Sequence, residues 1–173
     1  MRSFVSFIVG LLVCPLVLFL YLSFGHLPVA VGDKPFPFEN RIVKVPLAAR
    51  IHREMPSTPP ISATADNLNA GAQIYEDKCE FCHGTADSES SAGRSMFPSA
   101  PRLWLKRKNG VVGVSDDPVG ETYWKVKNGI RLTGMPAYNK MLSDTEIWQV
   151  SLLLSVADKP LPADAAQMVG LAH

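Results

Sequence analysis

The chain has 173 residues, 47% of them apolar, and a formal net charge of +1. This supplies one buried core with appendages and too little chain for two large domains. The near-neutral, scattered charge argues against a nucleic-acid footprint or a broad patch for anionic membranes. The basic run Lys106-Arg107-Lys108 reads first as a solvated loop, and second as a patch that steers an acidic partner.

Phe4 to Phe24 is an unbroken apolar stretch without a charge. As a helix rising about 1.5 Å per residue it reaches roughly 30 Å, the thickness of a bilayer's hydrocarbon core. Residues 1–25 are therefore expected to be a transmembrane anchor or an uncleaved signal, with Pro15 tolerated inside the helix. A cleaved signal peptide is the competing reading, because Ala30-Val31-Gly32 offers small residues before Asp33. Cys14 lies within the apolar run and reads as a packed thiol. Charge bias alone does not place the C-terminal part outside, since Lys34, Arg41 and Lys44 outnumber Arg2.

Residues 26–64 hold half of the 14 prolines, including Pro56, Pro59 and Pro60. Proline removes backbone donors and favours extended chain, so this section reads as a linker. Ile42, Val43, Val45 and Leu47 give its middle more apolar character than a free tether needs, which suggests contact with the folded part.

A helix is expected from about Ala65, capped by Asp66 or Asn67 and running toward Cys79. Gly71, Tyr75 and Cys79 fall four residues apart and share a face. A glycine inside a helix costs about 1 kcal/mol against alanine, so Gly71 points to a close helix crossing. Trp148 is the expected neighbour in that space.

Cys79-Glu80-Phe81-Cys82-His83 then forms a CxxCH motif. Two thiols at this spacing can each form a thioether with a haem vinyl group, and the adjoining histidine is placed to ligate the iron. A dithiol redox pair wants a βαβ context, which the flanking sequence lacks. Half of a zinc site wants further ligands, and Cys14, His26, His52 and His173 are poorly placed. A chance match is the remaining alternative. The second axial ligand must come from Met96, Met135 or Met141. Met135 stands out because Gly134 and Pro136 bracket it on a loop. A thioether is a neutral, soft ligand for haem iron.

Further on, Asp117 and Pro118 are expected to start a helix through Tyr123, Trp124 and Val126 that Gly129 stops. Ser143-Asp144-Thr145-Glu146 has the spacing of a capping box ahead of Ile147, Val150, Ser151 and Leu154. Pro160 and Pro162 close that segment.

In this order of features, residues 65–162 resemble a class I cytochrome c domain. The resemblance implies an all-α fold around one covalent haem c, preceded by the N-terminal helix and the Pro-rich linker, and followed by a tail at 163–173. It implies that the Pro101 carbonyl accepts a hydrogen bond from the His83 ring, fixing its tautomer. The haem-binding set is then Cys79, Cys82, His83, Met135 and Pro101, with His83 and Met135 on the iron. Trp104 and Arg131 are candidates for the haem propionates, with packing or surface roles as the alternative. Because haem is attached in this family after export, the resemblance places the domain in the periplasm or its equivalent. The expected function is one-electron transfer by a membrane-tethered carrier with redox protein partners in a respiratory or dehydrogenase chain. The alternatives are a cytochrome subunit of a periplasmic oxidoreductase complex and a haem enzyme with a labile distal methionine.

Overall fold

The computed structural model describes residues 2–171, apart from the side chains of residues 2–6 and 8. Eight helices occur among the described residues, with no strand and one isolated antiparallel bridge between Lys106 and Val112. The chain divides into two units, Met1–Glu39 and Asn40–His173.

The first unit carries α1 (Arg2–Phe24), a continuous helix with Pro15 inside it. Its described side chains are largely exposed and apolar, among them Leu12, Phe19 and Leu22. Among the described residues no helix is long and apolar enough to cross a membrane. The sequence expectation of a span at 1–25 draws partly on residues 1–6 and 8, which lie outside the described side chains. After α1 the chain is turned by Asp33, whose carboxylate accepts from Val29 N at 2.9 Å and Ala30 N at 2.8 Å.

The second unit begins within α2 (Glu39–Glu54), a helix in the stretch read above as extended linker, with Pro46 inside it. The reason lies at its C-terminal end, where tertiary contacts outweigh proline's local preference. Ile51 is buried, Arg50 lies over the Trp124 ring at 5.8 Å, and Glu54 accepts from Trp124 Nε1 at 3.0 Å.

The core is built on α3 (Ala65–Lys78), α6 (Val119–Asn128) and α7 (Asp144–Ser155). Thr64, rather than Asp66 or Asn67, caps α3: its side chain accepts from Asn67 N at 3.3 Å. Helix α6 starts at Val119, one residue later than expected, and Asp117 pairs with Lys125 at 3.4 Å instead of capping. The capping box of α7 is present, with Ser143 N donating to Glu146 at 2.7 Å and Glu146 N to Ser143 at 3.3 Å.

Gly71 marks a close crossing, but the neighbour differs from the one expected. A Cβ there would run into the backbone of Gln149 and lie 3.2 Å from Leu153 Cβ, so the glycine makes room for the α7 main chain. Trp148 points elsewhere, stacking on Tyr123 with ring centroids 4.0 Å apart. This stacked aromatic pair ties α7 to α6.

Residues 163–171, drawn from sequence as a tail, contain α8 (Ala163–Met168). Ala165 and Val169 are fully buried, and Ala165 N donates to the Asn69 side chain on α3 at 3.2 Å. The segment folds back because this apolar pair closes the outer side of α3, while Val169 O accepts from Ala86 N at 2.9 Å.

Candidate haem-binding cleft

Helix α3 ends at Lys78, and a single turn, α4 (Glu80–His83), follows directly. His83 N bonds to Cys79 O at 2.9 Å, so Cys79, Cys82 and His83 stand at i, i+3 and i+4 on one face. Gly84 ends the turn at φ 68°, ψ −170°, a conformation available essentially to glycine alone. α5 (Ser91–Arg94) packs beneath it, with Gly93 so close to Cys82 O that a side chain there would collide with it.

His83 Nδ1 lies 2.7 Å from Pro101 O. A carbonyl can only accept, so Nδ1 carries the proton and Nε2 presents its lone pair. Burial lowers the His83 pKa, and the bond to Pro101 opposes that shift. The ring is therefore neutral at neutral pH, the form a metal requires. Burial also pushes the Cys79 thiol up to about 12, with the neighbouring Cys82 adding to the rise.

The second wall comes from the segment after α6. Gly129, at φ 65°, reverses the chain, and a Cβ on it would lie 2.7 Å from Ala137 N and 2.8 Å from Met135 O. Ile130 N then closes onto Met135 O at 3.2 Å, and Met135 N donates to Thr133 Oγ1 at 3.1 Å. These bonds hold Met135, half-buried, in a cleft shared with Cys79, Cys82, His83 and Pro101. All five residues singled out from sequence thus meet in one place. The rest of that cleft is mainly apolar, with Leu103, Val126, Ile130 and Val150 in its lining.

Of the other methionines, Met141 is 55% exposed and does not line the cleft. Met96, one of the three methionine candidates, does line it, and its Sδ would be 2.6 Å from a Cβ on Gly134. Tyr138 was not singled out from sequence, yet it lines the same cleft. Its position three residues after Met135 was the available signal. Trp104 is buried edge-on against Tyr75, ring centroids 5.5 Å apart, and does not line the cleft. Arg131 is exposed. Among the described residues no cluster of three or more His, Cys, Asp or Glu residues forms a separate metal site.

The donor set fits haem: paired thiols, a neutral imidazole whose other nitrogen is fixed, and a thioether, all facing an apolar cleft. No curated protein matches the chain. A solved structure from Kuenenia stuttgartiensis, described as the reducing HAO-like protein complex Kustc0457/Kustc0458, is similar at 23% identity and a TM-score of 0.43. That similarity covers 59% of this chain and 48% of the other, so the chain spans about half the length of that relative. Residues 66–152 match the family described as cytochrome c oxidase, cbb3-type, subunit III. With half of its length inside that match, the chain belongs to this family of c-type cytochrome domains, which bear covalent haem and transfer electrons through it.

Proposed function

We propose that this protein is a membrane-tethered, extracytoplasmic carrier of single electrons, in which Cys79 and Cys82 would hold a haem through thioethers and His83 and Met135 would hold its iron. The observation that carries this reading is the meeting of His83, with Nδ1 held by Pro101 O at 2.7 Å, and the Met135 thioether in one apolar cleft. Bound haem supplies an iron that accepts and releases one electron. The chain's own residues do the rest. Cys79 and Cys82 fix the group to α4, Pro101 holds the imidazole in one tautomer, and the apolar lining keeps water away. With His83 and Met135 both holding the iron, a substrate would have to displace one of them, which favours electron carriage over catalysis.

The tether is the Phe4–Phe24 stretch, uncharged over its whole length. The haem domain lies on the periplasmic or equivalent side, where c-type haem is attached. Its partners are redox proteins at that membrane, in a respiratory or dehydrogenase chain. The match to a family described as an oxidase subunit favours a second reading, that the chain works as the cytochrome subunit of an oxidoreductase complex.

Absorption spectra of the purified protein, oxidised and reduced, with and without carbon monoxide, test the ligation. A six-coordinate low-spin spectrum with a thioether band and no response to carbon monoxide is expected. A high-spin spectrum or ready carbon monoxide binding would replace the carrier with a haem enzyme whose methionine is labile. Retention in membranes after an alkaline wash tests the tether, and stable co-purification with a second redox protein selects the subunit reading.

A further inference from the structure

We propose that Tyr138 is a positioning residue that latches the Met135 segment to the end of α3 and so sets how readily Met135 leaves the iron. The proposal rests on the ligation by Met135 advanced above.

Lys78 is the last residue of α3, where helix carbonyls have no partner within the helix. Tyr138 Oη reaches it, donating to Lys78 O at 2.8 Å across 60 positions of sequence. The backbone of the same residue is bonded on both sides. Tyr138 N donates to Val126 O on α6 at 3.1 Å, and Tyr138 O accepts from Met141 N and Leu142 N, each at 2.9 Å, on the approach to α7. One residue therefore joins α3, α6 and the start of α7, and Met135 stands three residues before it.

The location of each bond decides its effect. Ile130 N to Met135 O and Met135 N to Thr133 Oγ1 lie inside the loop, so they travel with it if it swings out. The Tyr138 hydroxyl instead connects the loop's trailing end to the residue before Cys79, on the wall that bears the attachment site. A swing of Met135 that carries Tyr138 with it breaks that bond, and the Lys78 carbonyl and the phenol exchange it for water. Such a neutral bond shifts an equilibrium by a factor of about five, the equivalent of about 1 kcal/mol.

Imidazole titrated into the ferric holoprotein displaces a labile thioether and abolishes its weak far-red band. Tyr138→Phe keeps the ring and removes the hydroxyl alone. It is expected to bind imidazole about fivefold more tightly than the unsubstituted protein, with the thioether band still present before titration. An unchanged imidazole affinity, with only a lower urea midpoint, would reduce Tyr138 to a structural residue and overturn the latch. The underlying ligation is checked by Met135→Ala in the same titration. If that variant keeps both the band and the affinity, the ligation reading fails; if it loses the band while Tyr138→Phe behaves as the parent, only the latch fails.

Discussion

Trp124 Nε1 donates to Glu54 Oε2 at 3.0 Å, a bond between positions 70 residues apart that secures the end of α2 against α6. This bond, then Arg50, lowers the Glu54 pKa from its ordinary 4.5. A carboxylate depressed in the folded state contributes stability above its unfolded value, and that contribution is lost as pH falls through the folded value. The docking of α2 is therefore expected to hold at neutral pH and to loosen progressively below about pH 4.5. Amide hydrogen exchange along α2 at a series of pH values checks this. Glu54→Gln should flatten the pH dependence, and exchange that is indifferent to pH in the unsubstituted protein would remove Glu54 as the clamp.

Gly71→Ala places a methyl group against the Gln149 main chain, with the Gln149 carbonyl carbon only 2.7 Å away. Backbone cannot step aside as a flexible side chain does, so α3 and α7 must separate. Overpacking of this kind costs about 1–3 kcal/mol. The urea midpoint of the holoprotein should drop accordingly, and an unaltered midpoint would mean that the crossing is looser than the structure has it.

Gly129→Ala acts on the site instead of the core. A side chain at φ 65° is strained, and its Cβ would meet Pro136 and Ala137 main-chain atoms at 2.7 Å. Strain of about 1–3 kcal/mol at the base of the Met135 loop is expected to weaken the thioether ligand and raise carbon monoxide binding by the ferrous protein. Equal carbon monoxide affinity in variant and parent would show that the loop absorbs the strain without moving Met135.

Met135→Ala should open the iron to added ligands. Met96 lines the same cleft, so a residual thioether band in that variant has a definite source. The double variant Met96→Ala/Met135→Ala is expected to be high-spin with no such band. A thioether band that survives both substitutions would require another methionine, and Met141 would be next despite its exposure.

The shared face of Cys79, Cys82 and His83 was legible because it is local: the three lie within five residues, and one helical turn brings them together. The loop placement of Met135 was legible for a similar reason, since Gly134 and Pro136 on either side of it keep it off a helix. What the sequence did not disclose depends on contacts between distant segments. Nothing near Gly71 tells whether a side chain or a main chain fills the space beside it, and the answer is Gln149 and Leu153 rather than Trp148. Prolines made residues 26–64 look like a tether, yet Ile51 is buried and Arg50 and Glu54 meet Trp124, in a helix with Pro46 inside. The caps divided the same way. Ser143 and Glu146 form the reciprocal pair their spacing indicates, whereas Thr64 caps α3 because the helix begins at Ala65, which leaves Asp66 and Asn67 inside its first turn.

The one-turn geometry of α4 also bears on competition for the iron. With a haem held beside His83, Met135 would not have to find the iron by diffusion, because the intervening chain would keep it nearby as the second arm of an intramolecular pair. Tethers of moderate length give such a partner an effective concentration on the order of millimolar. Small soluble ligands would have to exceed that level, weighted by their intrinsic affinity, to displace the methionine from the iron it is proposed to hold. With the ligation proposed above, the early attachment turn would protect a weak ligand through proximity, and the coordination would persist while free imidazoles and thioethers stay dilute around it.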